Sequence, residues 1–241
     1  MSQHVLFVPG TLCTEALFAP QIEFCSSSGL RCTTARLDGG DSMTKMAKAI
    51  LADAPETFAL VGLSMGGIIA FEIMRQAPER VERLALLDTN SRAETPEKLT
   101  ARLAAIDAID DLEMQGLDGL LPFVEYSLFP NYTAAYGADL KQHKEIVLKM
   151  AQDTGWQVGK AQMQALNTRH DSSELLSTIA VPTAVICGVE DKLCPVDRHL
   201  FMHEQIPGAT LHILPECGHL STLEKPDQVN AILAEWLTRK S

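Results

Sequence analysis

The sequence predicts an α/β protein: a doubly wound, mostly parallel sheet with an all-helical insert in its second half. Three observations predict it. Short apolar runs closed by turn-forming residues alternate with segments of helical length. The runs are continuously apolar, as strands covered on both faces are. From about Thr95 to Ser177 the strand signal stops while the helical one persists.

His4 to Val8 is the first apolar run, halted by Pro9-Gly10 and read as a buried strand entering a turn. Phe58-Ala59-Leu60-Val61, ended by Gly62, is another. Ile68, Ile69, Phe71, Ile73 and Met74 then continue among small residues to Ala77, before Pro78. That length predicts a helix, and one so completely apolar is buried. Val81 to Leu87 is the next strand, closed by Asp88-Thr89-Asn90, and Thr183 to Gly188 and Leu211 to Leu214 repeat the pattern. A last helix runs from about Asp227 to Leu237, entered after Pro226. Inside the insert, Thr95-Pro96 supplies an N-cap and a proline at the first helical position. Four stripes at helical spacing follow: Leu99, Leu103, Ile106 and Ile109; Leu117 to Leu128; Ile146, Val147 and Met150; Val158, Ala161, Ala165 and Leu166. The α/β core therefore takes residues 1–92 and 178–241, and residues 93–177 read as a helical lid, not as a separate domain.

Composition narrows the function. The 241 residues are ample for a core without disulfide or metal staples. Lys plus Arg number 20 against 31 Asp plus Glu, and the net charge of −11 repels phosphate backbones, which argues against a nucleic-acid partner. The N-terminal apolar run is too short for a signal peptide, and no apolar stretch approaches the ~18 residues of a membrane span. The six cysteines, Cys13, Cys25, Cys32, Cys187, Cys194 and Cys217, follow no tight spacing and read as reduced thiols of a cytoplasmic protein. The sequence names no oligomeric state.

The chemistry concentrates in Gly62-Leu63-Ser64-Met65-Gly66-Gly67, a G-x-S-x-G pattern with a strand before it and a helix after it. A nucleophile on a tight strand-to-helix turn has an unfavourable backbone conformation, and glycine on either side removes the collisions that side chains would make. The helix that begins near Met65 aims its N-terminal N–H groups at developing negative charge. A serine hydroxyl needs a base. Of seven histidines, His219 sits in the loop after the last strand, where it leans over the sheet's carboxyl edge. His212 lies inside that strand, and His143 and His170 fall in the insert. For the orienting acid, Asp191 follows the Thr183–Gly188 strand, with Glu190 beside it, and Asp88 at the end of the Val81–Leu87 strand is the rival. Asp191 is favoured of the two, and Ser64, Asp191, His219 follow the Ser, Asp, His order of this arrangement. The other reading of Asp88 is a turn cap with Thr89-Asn90.

These features together resemble the α/β-hydrolase-fold serine hydrolases, among them capped carboxylesterases and enol-lactone hydrolases. The resemblance covers nearly the whole chain: the Pro9-Gly10 turn, the Gly62–Gly67 elbow, Glu79-Arg80-Val81, the Asp191 loop and Gly218-His219. It implies that Ser64 attacks a carbonyl, that His219 acts as base and then acid, and that Asp191 orients His219. It implies an oxyanion hole from the backbone N–H of Met65 and of Thr11, with Leu12 as the fallback, and a lid over the triad that shapes the pocket. Ser64 at the elbow sets the chain apart from relatives that need a carboxylate or a cysteine there. Two departures stand out. Pro9-Gly10 replaces the His-Gly of many relatives, and the chain starts at the strand before that turn, without the antiparallel edge strands that often open the fold.

The function expected is hydrolysis of a small carboxylic ester, lactone or thioester through an acyl-enzyme, with no metal or organic cofactor. The alternatives are C–C hydrolysis, elimination or cofactor-free oxygenation on the same triad, or a non-catalytic small-molecule binding protein. Leu12, Phe123, Phe129 and Trp156, with Tyr132 and Met163, are candidates for the substrate pocket, against simple packing. His199 and His203 stand four residues apart, a metal-ligand spacing, but lack the adjacent glutamate and read as a surface helix. Asp38-Gly39-Gly40-Asp41 lacks the lysine of a phosphate loop and reads as a turn near the edge of the site.

Overall fold

The computed structural model describes residues 4–134 and 140–239; residues 1–3, 135–139 and 240–241, at the ends of the predicted core and inside the predicted insert, lie outside them. The order of elements is β1 (His4–Val8), α1 (Ala19–Ser27), β2 (Arg31–Thr34), α2 (Met43–Asp53), β3 (Phe58–Leu63), α3 (Met65–Gln76) and β4 (Val81–Leu87). Helices α4 (Pro96–Met114), α5 (Leu120–Phe123), α6 (Leu140–Thr154), α7 (Trp156–Leu166) and α8 (Ser173–Leu176) follow, with α5 running on through a π-type turn over Val124–Leu128. The chain closes with β5 (Thr183–Gly188), α9 (Val196–Gln205), β6 (Thr210–Leu214), α10 (Ser221–Glu224) and α11 (Pro226–Thr238).

The six strands pair in the order β2-β1-β3-β4-β5-β6, every pair parallel. Alternate residues of the strands feed two cores. Val5, Phe7, Val61, Leu87 and Ile186 pack on one face with Phe18 and Trp236. Leu6, Val8, Leu60, Leu86 and Val185 pack on the other with α2, α3 and α9 residues such as Met46, Ile69 and Met202. From β1 the chain steps to β2 on one side and β3 on the other, so a crevice opens above the β1–β3 boundary, where such sheets bind ligands. The Arg80 guanidinium donates to the carbonyls of Leu51, Ala54, Pro55 and Glu56, closing the C-terminal end of α2 just before β4 begins.

Several elements depart from the sequence reading. The polar strand β2, which carries no continuous apolar run, and helices α1 and α2 are additions to it. In α4, Ile106 and Ile109 are buried, but Leu103 is 44% exposed. The predicted surface helix around His199 instead turns His199 and Met202 inward, both fully buried.

Candidate active site

The elbow is built where β3 meets α3. Ser64 has φ 57° and ψ −117°, a conformation non-glycine residues avoid at a cost of about 1–3 kcal/mol. The surroundings hold it there: its N–H donates to Leu87 O at 2.9 Å, and its carbonyl accepts from Thr89 Oγ1 at 2.7 Å and Gly67 N at 3.0 Å. A Cβ on Gly62 would lie 2.5 Å from Gly66 O, and one on Gly66 would fall onto the Val8 carbonyl and within 2.8 Å of Pro9 O. Glycine at 66 thus lets α3 approach the end of β1, which brings the Pro9–Leu12 turn beside Ser64.

Loops after β3, β5 and β6 converge. His219 Nε2 lies 2.9 Å from Ser64 Oγ, and His219 Nδ1 lies 2.8 Å from Asp191 Oδ2. The other Asp191 oxygen accepts the N–H groups of Leu193 at 2.8 Å and Cys194 at 2.9 Å, which fixes the carboxylate plane. The His219 N–H donates to Tyr132 O at 2.8 Å, and the Tyr132 ring stacks on the imidazole with centroids 5.7 Å apart. Burial opposes protonation of His219, but the adjacent Asp191 charge and hydrogen bond outweigh it and raise its pKa above the usual histidine value. Burial likewise penalises ionised Asp191, yet the His219 charge, its hydrogen bond and the two loop N–H groups hold that carboxyl below the usual range.

Asp88 does not reach the imidazole. It is fully buried and accepts from Gly188 N at 3.3 Å, Ser221 N at 3.2 Å and Ser221 Oγ at 2.5 Å, tying the end of β5 to the loop that carries His219. Burial, reinforced by the nearby Asp191 charge, raises its pKa well above the carboxylate range.

The Thr11 and Met65 N–H groups have no protein acceptor among the described residues, and both residues line the cavity that holds Ser64 and His219. The Leu12 N–H, the fallback, is already donated to Gln162 Oε1 at 2.8 Å. Gln162, on α7 and 1% exposed, also donates to Leu37 O at 3.2 Å.

The cavity measures about 380 Å³, and insert residues including Lys98, Arg102, Ala105, Phe123, Leu128, Tyr132, Met163 and Arg169 line it. Phe123 is where the sequence reading put it. Leu12, Phe129 and Trp156 are not: they are buried in the core and stand outside the lining. Leu12 turns its side chain onto Gly159 of α7, where a Cβ would overlap it, and the Trp156 indole donates to Asp110 Oδ1 at 2.8 Å. Asp38 lines a separate cleft with Cys13 and Gln162.

Among the described residues, the metal-type ligands that converge are Asp191, Cys194 and His219, and two of these are bonded to each other. His199 stands apart from them: its Nε2 accepts the Thr89 N–H at 3.0 Å, and burial, only partly opposed by Asp191, lowers its pKa to about 4. Two cavity features were missed, the arginine pair and Asn90, because the Asn167 partner of Arg102, the Glu94 partner of Arg169 and the Cys194 partner of Asn90 lie tens of residues from them and leave no local pattern. No helix of the described residues is long and apolar enough to cross a membrane.

The chain is 24% identical over 247 residues to the pimeloyl-[acyl-carrier protein] methyl ester esterase of Aromatoleum aromaticum, covering 88% of this chain and 89% of that one. A thermophilic esterase from Thermogutta terrifontis superposes with a TM-score of 0.83 at 25% identity, over 97% of this chain and 89% of the other. The enol-lactonase from Burkholderia xenovorans has the same fold, with a TM-score of 0.81 at 21% identity over 99% and 92% of the two chains. The sequence profile of the Alpha/beta hydrolase family matches residues 31–232, and with that match the chain belongs to the family.

Proposed function

We propose that this protein hydrolyses a small carboxylic ester, lactone or thioester through an acyl-enzyme on Ser64. The observation that carries the reading is the Ser64–His219–Asp191 relay, at 2.9 and 2.8 Å, opening into a cavity flanked by two unengaged backbone N–H groups.

In this mechanism His219 Nε2 takes the Ser64 proton as Oγ adds to the substrate carbonyl. Asp191 holds Nδ1–H in place and stabilises the imidazolium that forms. The oxyanion is met by the N–H groups of Thr11 and Met65, each worth about 3 kcal/mol in comparable holes. His219 then protonates the departing alcohol or thiol, and a water activated by the same imidazole releases the acid. No step requires a cofactor. Residues 93–177 act as a cap that shapes the pocket. The Aromatoleum aromaticum and Thermogutta terrifontis esterases are the relatives that favour ester substrates.

The test is a burst assay with a short-chain p-nitrophenyl ester on wild type and Ser64→Ala. A burst of one nitrophenolate per chain that disappears in the variant supports the reading. Equal turnover in both proteins overturns it.

A further inference from the structure

The cavity beside Ser64 is not the neutral slot that a simple acyl chain would require. Four charged side chains line it: Lys98, Arg102 and Arg169, against the single carboxylate of Glu94. The whole chain carries a net charge of −11, so a cavity with three cations and one anion runs against the protein's average. Helix periodicity explains how α4 delivers this face. Lys98, Ala101, Arg102 and Ala105 fall at positions i, i+3, i+4 and i+7 and all line the cavity, the alanines leaving room between the charges.

Glu94 is saturated. One of its oxygens accepts from Arg169 Nη2 at 3.0 Å and from Thr95 N at 3.2 Å, and the other is paired with Arg102. Arg102 spends a further N–H on Asn167 Oδ1 at 2.5 Å. Arg169 is held by Glu94 and, at 3.3 Å, by the Ala93 carbonyl. Its side chain is only 9% exposed, and its Nε–H is buried without an acceptor. Buried guanidinium donors are almost always satisfied, so an orphan one on a residue that lines a cavity leaves that guanidinium short of its full set of acceptors. Burial depresses the Arg169 pKa, and the Glu94 charge opposes that.

We propose that the substrate carries a free carboxylate in addition to the scissile ester or lactone, and that the Arg169 guanidinium and the Lys98 ammonium receive it. The substrate class is thus a half-ester of a dicarboxylic acid, or a lactone bearing a carboxylate. This rests on the ester-hydrolase reading for the reaction, but not for the binding. Glu94 serves as a clamp that sets both guanidiniums at fixed angles. Asn90 and the apolar Phe123, Leu128 and Met163 line the rest of the cavity and accommodate the linker between the two carbonyl groups.

The experiment pairs monomethyl adipate with methyl heptanoate, of similar length but neutral, and follows hydrolysis in a pH-stat. Wild type should favour monomethyl adipate at least tenfold in kcat/KM, mostly through KM, and the preference should shrink as salt is raised from 20 to 500 mM. Arg169→Gln should erase the preference, and Arg169→Lys should recover part of it. Lys98→Met, at an exposed rim position, should cut the preference severalfold and keeps the test open if Arg169→Gln does not fold. Binding of adipate itself, measured by calorimetry on Ser64→Ala and on Ser64→Ala with Lys98→Met, separates this proposal from the catalytic one. Adipate bound by the first and weakened severalfold in the second, with no ester turned over by wild type, would leave the anion site standing and remove the ester-hydrolase reading. Equal kcat/KM for the two esters, with no adipate binding, would remove the anion site and leave that reading intact.

Discussion

Replacing Asp191 by asparagine separates the two buried carboxylates beside His219. The Oδ1 of asparagine can still accept the N–H groups of Leu193 and Cys194, so the loop keeps its shape. Its amide nitrogen then takes the position of Oδ2, 2.8 Å from His219 Nδ1, and a donor faces a donor. The imidazole responds by placing its proton on Nε2, toward Ser64 Oγ, where it no longer accepts the hydroxyl proton. In the serine-protease triad the same change lowers kcat about 10⁴-fold, or about 5.5 kcal/mol, and that is the loss expected here. Asp88→Asn is the control. Its side chain touches Gly188 and Ser221 but not the imidazole, so it should lose roughly 1–3 kcal/mol of stability and less than about tenfold in kcat. Both variants are assayed for ester turnover at saturating substrate, with urea unfolding to confirm the fold. A drop of less than tenfold in Asp191→Asn, or a larger one in Asp88→Asn, would refute the assignment of the acid.

Three further outcomes follow from the same geometry. Because the His219 pKa is raised and the base must be neutral, kcat/KM should fall on acidification with a midpoint above 6.5, and Asp191→Asn should move that limb to lower pH; a pH–rate profile of each protein checks the sign. Gly66→Ala drives a Cβ onto the Val8 carbonyl, so β1 and α3 must part; about 3 kcal/mol should be lost, a Tm drop of roughly 6–12 °C by calorimetry. Gln162→Leu strands the buried Leu12 N–H and Leu37 carbonyl, at roughly 1–3 kcal/mol each, and should lower kcat along with the urea midpoint.

The elbow was legible because its requirements are local: Gly62 and Gly66 are the residues without which Ser64 cannot sit between β3 and α3. His219 and Asp191 were legible because a parallel sheet brings its loop residues to one edge whatever their distance in sequence. β2 was not, since an edge strand reading Arg31-Cys32-Thr33-Thr34 is half exposed and carries no apolar run. The burial of His199 was hidden for the opposite reason: its environment is set by Thr89, 110 residues earlier in the chain. The Glu94, Arg102 and Arg169 cluster belongs to the same class, charged residues that any surface helix could carry until the fold sets them face to face. The three aromatic and aliphatic pocket candidates that proved to be core, Leu12, Phe129 and Trp156, show the converse, because side-chain type cannot distinguish a cavity wall from its backing.

Gln162 reaches from the insert to the turn after β1 and shares one side chain between Leu12 and Leu37. The roof over the cavity and the strand end that presents the Thr11 N–H are therefore one mechanical unit. Swinging α7 away as a rigid flap would unfasten that turn, whereas α4 and the Leu120–Leu128 segment border the cavity at its other wall without the Gln162 bonds. An engineer who wishes to widen the substrate range should loosen that wall and leave α7 anchored.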